Sequence, residues 1–225
     1  MNTYIVEGGI GKCTAFTSLI PKLKQKSEVQ IYTPYIPCFA NNPDVKLVLE
    51  QSLPLQDPRI MASDNIYYCE PYKSNFQFGK QHIIESYCEN HGVEFDVNMK
   101  PKLYTTIINC VLPNEPHFNG TIRCDLHWSE IHELLKGAEG FISIDSCLQH
   151  FSASAEKHGV VIWGSTRWTQ FGYSHNKNLQ FHMKDKWIEE KFIDSDPRNN
   201  MVEPKLIIDE YKKLDKNKPV ALATI

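Results

Sequence analysis

Short apolar runs separated by polar corners set the rhythm of this chain. Phe141–Ile144 and Val160–Trp163 are four-residue apolar runs, and the segment between them carries apolar residues and His150 at helical spacing. Two such runs around one helix predict a parallel βαβ unit buried on both faces. Ligands of such units bind beyond the carboxyl ends of the strands. Asp145-Ser146-Cys147 and Gly164-Ser165-Thr166 fall there.

The amino-terminal part repeats the pattern. Tyr4-Ile5-Val6 leads into Glu7-Gly8-Gly9-Ile10-Gly11-Lys12, and Phe16, Leu19, Ile20 and Leu23 then predict a helix over Thr14–Lys24. Val29–Tyr32 and Ile66–Cys69 read as strands, Val45–Leu49 as a strand or short helix, and Ser52–Arg59 as a loop with two prolines, Pro54 and Pro58. Asn75–Gly92 shows helical recurrence with Gly92 as its stop, and within it His82 reads as a surface or packing residue. Tyr104–Val111 is a further strand. Leu126–Glu139 is an amphipathic helix that Asp125 can cap, and Trp187–Phe192 and Leu206–Tyr211 are helices before a charged terminus.

Composition narrows the class. With 225 residues, 41% hydrophobic and 23% charged, the chain can bury a substantial core. A net charge of −3 gives no bias toward nucleic acid or an anionic membrane. Seven cysteines without any C-x-x-C pair suggest neither a zinc site nor a redox motif and fit a reducing cytosol. No basic leader and no apolar run of membrane-spanning length is seen, so a soluble cytoplasmic protein is expected.

Two corners carry candidate chemistry. A helix opening after Asp145-Ser146 presents unpaired N–H groups and a partial positive charge, suited to a phosphate, with His150 one turn further in as a donor. The competing reading makes Asp145 or Ser146 an N-cap and His150 a packing residue. The glycine turn Glu7–Lys12 is the second corner. As a P-loop it lacks two groups, since Glu7 stands for the leading Lys and Cys13 for the magnesium-binding Ser or Thr. A purely structural glycine turn is the other alternative. The aromatic and polar stretch Trp168–Phe181 suits either stacking on a base or sugar, or packing beneath its own loop.

The run D-S-x-x-x-H-x-x-A, followed by a strand and W-G-S-T, resembles the carboxyl-terminal signature of glycosyltransferase family nine, the ADP-heptose:lipopolysaccharide heptosyltransferase family. Its matching residues are Asp145, Ser146, His150, Ala153, Gly164, Ser165 and Thr166, and Gly172-Tyr173, Asn176 and Asn178 resemble the segment that follows. The resemblance implies that this region surrounds the diphosphate of a nucleotide sugar. Where the family has Gly after Asp-Ser, this chain has Cys147, which would crowd a phosphate or demand a different turn. The family also opens with a strand and a G-x-G-D turn whose Asp is the base toward the acceptor hydroxyl. Lys12 occupies that position here, and an ammonium cannot take a proton, so Glu7 would have to substitute. The resemblance covers both ends but not the middle, where the family's first strand-helix unit of the second lobe and its Lys are not found.

These readings together predict an α/β protein of GT-B-like arrangement: two Rossmann-like lobes with parallel sheets, an amino-terminal acceptor-side lobe over 1–103 and an abbreviated nucleotide-sugar lobe over 104–225. The expected function is metal-independent glycosyl transfer, with the nucleotide-sugar donor as substrate, no separate cofactor and an unidentified acceptor. Glu7 and Lys12 are the catalytic candidates. Gly9, Gly11, Asp145, Ser146, Cys147, Leu148, His150, Gly164, Ser165 and Thr166 are the donor-binding ones. The alternative is a non-catalytic nucleotide- or nucleotide-sugar-binding protein that kept the pocket and lost the base.

Overall fold

A computed structural model describes residues 1–72, 76, 79–104, 128–164, 166–180 and 204–215. The expected strand at Tyr104–Val111 beyond its first residue, the cap Asp125, the helix Trp187–Phe192 and Ser165 lie outside the described residues.

Strand β1 (Asn2–Ile5) is short and β-branched, and it pairs in parallel with β2 (Val29–Thr33) on one side and β4 (Asn65–Tyr68) on the other. β3 (Val45–Glu50) completes the first sheet in the order β3-β2-β1-β4. The ambiguous Val45–Leu49 run is therefore a strand. A sheet with this order brings the loops after β1 and β4 side by side, although more than sixty residues separate Glu7 from Glu70.

The helix expected over Thr14–Lys24 is two helices, α1 (Ile10–Phe16) and α2 (Ile20–Lys24). Pro21 explains the break, because it has no N–H to continue the ladder and its ring obstructs the preceding turn. The Thr17 and Ser18 hydroxyls cap the severed turn by donating to the carbonyls of Thr14 and Ala15. After the short α3 (Pro58–Met61), the expected helix Asn75–Gly92 is represented among the described residues by α4 (Ile83–Asn90), with Gly79–His82 outside any helix before it. Gly92 does stop it, at φ +57°, a left-handed conformation that costs glycine little.

The second sheet has the order β5-β6-β7, from β5 (Phe141–Ile144), β6 (Gly159–Trp163) and β7 (Lys177–Gln180), all parallel. Helix α5 (Trp128–Gly137) precedes β5, α6 (Leu148–Ser154) crosses from β5 to β6, the short α7 (Trp168–Phe171) precedes β7, and α8 (Pro204–Lys212) follows. The expected parallel βαβ unit is present. Its burial on both faces holds only for β6, since β5 stands at the edge of the described sheet and exposes Ile142 (46%) and Ile144 (67%).

One apolar core joins the two sheets: Phe16, Leu19 and Tyr87 from the first half pack in the same cluster as Phe151, Val161 and Trp163 from the second. Backbone ties cross the junction. The Lys102 N–H donates to Thr17 Oγ1 at 2.8 Å, and the Leu103 N–H to Ser154 Oγ at 2.9 Å. Among the described residues no helix is long and apolar enough to cross a membrane.

Candidate functional site

The two corners singled out in the sequence meet. Gly11, in the first turn of α1, lies so close to α6 that a Cβ there would stand 3.1 Å from His150 Cδ2, 3.4 Å from its Nε2 and 3.6 Å from Cys147 Cα. Glycine is needed for this approach rather than for its dihedral freedom. Away from the contact point the loops are open: a Cβ on Gly9 or on Gly164 would meet nothing within 4 Å.

On the second sheet, Asp145 follows β5 and Thr166 follows β6. Burial raises the Asp145 carboxyl above its ordinary range, and a hydrogen bond from the Thr166 side chain opposes that shift. This bond ties the two carboxyl-edge loops to each other. The Ser146 hydroxyl accepts the Leu148 N–H at 3.3 Å, so it engages the start of α6. Cys147 sits at φ −60°, ψ −21°, an ordinary right-handed conformation. The side chain that replaces the family glycine therefore strains nothing, and the turn differs from one built on a left-handed residue. Burial raises the Cys147 thiol.

His150 is only 4% exposed, and its Nδ1 lies 2.8 Å from the Tyr173 hydroxyl. Burial pushes its pKa down to about 3, and the neighbouring His82 adds to the shift. His82 caps α4: its Nδ1 accepts the Ile84 N–H at 3.2 Å, which puts the proton on Nε2, and Nε2–H donates to the Gly172 carbonyl at 3.0 Å. Burial lowers its pKa to about 4. The packing reading of His82 thus has a geometric basis, and Gly172-Tyr173 is clamped between a histidine from each half of the chain.

The polar residues of β7 brace the same loop. Gln180 Nε2 donates to the carbonyls of Gly164 (2.7 Å) and Thr166 (3.1 Å), and Gln180 Oε1 accepts the Trp168 N–H at 3.1 Å. Asn178 accepts from Trp163 Nε1 at 2.9 Å and donates to the Tyr173 carbonyl, while Asn176 accepts the Gly159 N–H. Sequence reasoning missed β7 and Gln180. Among the described aromatics of this stretch, Tyr173 is fully buried, and Phe171 meets Phe76 edge-on at 5.4 Å.

On the first sheet, Gly8 has φ +92°, and a Cβ there would stand 2.9 Å from Lys12 Cδ and 3.1 Å from its Nζ. The lysine thus folds back over its own turn. Its Nζ lies 4.0 Å from the centroid of Tyr72 and 3.8 Å from the Glu70 carboxylate, both beyond β4. Glu7 faces the other way and accepts from Gln51 Nε2 at 2.8 Å, beyond β3. Glu70 is a carboxylate at the turn that reading along the chain did not single out. The Cys13 thiol is buried and directed at the Val6 carbonyl, 3.7 Å away, so the residue in the magnesium-binding position of a P-loop faces the core.

Among the described residues no group of three or more His, Cys, Asp or Glu side chains is placed to hold a metal ion.

Two solved structures share this architecture. A family-nine glycosyltransferase from Veillonella parvula DSM 2008 superposes with a TM-score of 0.64 at 9% identity, over 95% of this chain and 96% of that one. The chain has the fold of that glycosyltransferase. A second match is TibC, a dodecameric iron-containing heptosyltransferase in complex with ADP-D-beta-D-heptose, with a TM-score of 0.57 at 13% identity, over 95% of this chain and 73% of that one. No family model and no curated protein matches the sequence. The GT-B-like arrangement of parallel sheets expected from the sequence is thereby established at the level of fold.

Proposed function

We propose that the protein transfers a sugar from a nucleotide-diphosphate donor to a hydroxyl acceptor. The donor diphosphate lies between the Asp145–His150 corner and Gly164–Thr166 loop of the second sheet and the Gly9–Lys12 turn of the first. The observation that carries this reading is the meeting of two carboxyl-edge loops at Gly11 and His150, beside loop glycines that border open space. The fold likeness to a heptosyltransferase holding a nucleotide sugar supports it. In the transfer, the acceptor oxygen bonds to the anomeric carbon, the bond to the diphosphate breaks, and its electron pair leaves with the phosphate. The acceptor proton goes to a carboxylate.

Lys12 provides the cation in this reading. Its ammonium stands at the glycine turn, where a diphosphate gathering charge as it departs would be stabilised. No separate cofactor is called for.

Thermal melting with ADP, GDP, UDP and their sugar conjugates tests the donor site. A ligand at 100-fold its Kd adds about 2.7 kcal/mol to stability, a rise of several degrees in a chain of this size. If none of the six classes of ligand moves the melting temperature, the proposal fails. A donor that binds but is never turned over, with any acceptor or with water, points to the non-catalytic nucleotide-binding alternative.

A further inference from the structure

We propose that Glu70, not Glu7, is the general base of the transfer, and that Lys12 positions it. This inference rests on the glycosyltransferase reading above. Its geometric root is the sheet order: β4 lies beside β1, so the residue just after β4 reaches the glycine turn although it is distant in sequence. Lys12 and Glu70 stand 3.8 Å apart there. The turn itself carries a cation, and the neighbouring strand brings a carboxylate to it.

Two observations favour Glu70 over Glu7. Glu7 is drawn away toward the far side of the sheet by the amide of Gln51, which follows β3, two strands from β1. Glu70 stands on the side where the second half of the chain docks. There Tyr72 carries Lys12 on its face, Tyr72 packs against Phe76 at 5.6 Å, Phe76 meets Phe171, and the Phe76 carbonyl accepts from Gln170 Nε2 at 2.6 Å. The Glu70 side chain is also 55% exposed, so an acceptor hydroxyl can reach it, whereas Lys12 is only 20% exposed and held on Gly8.

The step balances without any further reagent. The acceptor O–H gives its proton to the Glu70 carboxylate as its oxygen bonds to the anomeric carbon. The bond between that carbon and the diphosphate oxygen breaks, and the electron pair goes to the diphosphate beside Lys12. Donor binding itself frees the base, because the diphosphate competes with Glu70 for the ammonium. Water can stand in for the acceptor, so the step can be followed as release of nucleoside diphosphate from a nucleotide sugar.

The test uses the full chain with ADP-glucose, GDP-mannose and UDP-glucose. Binding is measured by calorimetry, and release of the corresponding nucleoside diphosphate by chromatography across pH. Glu70→Gln is expected to lower release by about 100-fold or more while donor Kd changes less than about threefold, because the amide keeps the shape and loses the proton acceptor. The acidic limb of the rate profile should vanish with it. Glu70→Asp should restore part of the rate, which a merely structural role would not require. Glu7→Gln should cost less than Glu70→Gln. The proposal is overturned if Glu70→Gln retains wild-type release, if Glu7→Gln is the more damaging change, or if wild-type protein binds a donor and releases nothing. Failure of all three donors to bind the wild type overturns the donor reading first, and the assignment of Glu70 with it.

Discussion

The glycine turn after β1 and the corner after β5 hold the same place in their sheets, yet their polar groups are disposed in opposite ways. At the corner, His150 is 4% exposed and bonded to Tyr173, Ser146 holds the Leu148 N–H, and Asp145 is tied to the Thr166 side chain. At the turn, Glu7, Lys12 and Glu70 keep contact with solvent, and Gln51, Glu70 and Tyr72 reach the turn from the loops beyond β3 and β4. A polar side chain at a carboxyl edge is thus not by that fact a ligand. Where its partners are already supplied within the protein it fixes shape, and where they are loose and charged it remains available for chemistry.

Acid should break the corner first, and with the largest effect. His82 and His150 have folded pKa values of about 4 and about 3, both below the ordinary value of 6.5 for the unfolded chain. Above pH 6.5 neither state binds the proton and these groups leave stability flat. As pH falls below 6.5 the unfolded chain takes up protons that the folded one refuses. Stability is lost down to the folded pKa values, by up to about 1.4 kcal/mol per pH unit for each histidine. Urea denaturation between pH 7 and pH 4 should show this slope, and His82→Gln with His150→Gln should reduce it to the share left by His132, whose pKa burial also lowers to about 4. A slope unchanged in the double variant would mean that other groups govern acid unfolding.

The next effect separates the two regions by mutation. His150→Ala leaves the buried Tyr173 hydroxyl without its partner and opens a gap against Gly11, at a cost of about 2–4 kcal/mol. Lys12→Ala removes a partly exposed pair with Glu70 and should cost less than about 1 kcal/mol of stability. Donor affinity should invert the order, with Lys12→Ala losing more than a stability-corrected His150→Ala. Equal losses of affinity would place His150 on the ligand and weaken the contrast.

How much of this was legible in the sequence differs between the two halves of the argument. β1, β2, β5 and β6 stand out because β-branched and aromatic runs end at polar or glycine corners, and the corners after β1 and β5 are the ones that meet. β7 was not legible, because Lys177-Asn178-Leu179-Gln180 reads as a loop until its amides are seen to bind the carbonyls of Tyr173, Gly164 and Thr166. Pro21 is a break open to view in the sequence, although the apolar spacing around it predicts a single helix. Glu70 is hidden for a different reason: the glycine turn carries a carboxylate of its own, Glu7, whereas sheet order delivers Glu70 from another strand. The only local signal was its place at the end of the Ile66–Cys69 run, before Pro71. Side-chain direction was equally illegible, for nothing in GGIGKC tells that Lys12 folds back and Cys13 faces the core.

The smallest expected effect is the sharpest check on the corner. Ser146 has two roles open to it: holding the Leu148 N–H at 3.3 Å, as it does here, or donating to a bound phosphate. Ser146→Ala removes both. If the hydroxyl serves the helix, the change costs about 0.5–1 kcal/mol of stability and leaves donor affinity within about twofold, since the N–H freed at Leu148 can then turn to the anion. If it serves the phosphate, stability is nearly constant and affinity falls by about 1.5 kcal/mol, the worth of one hydrogen bond to a charged group. Parallel melting and calorimetry on the same variant separate the outcomes. Ser146→Thr, which keeps the hydroxyl, should restore whichever quantity was lost.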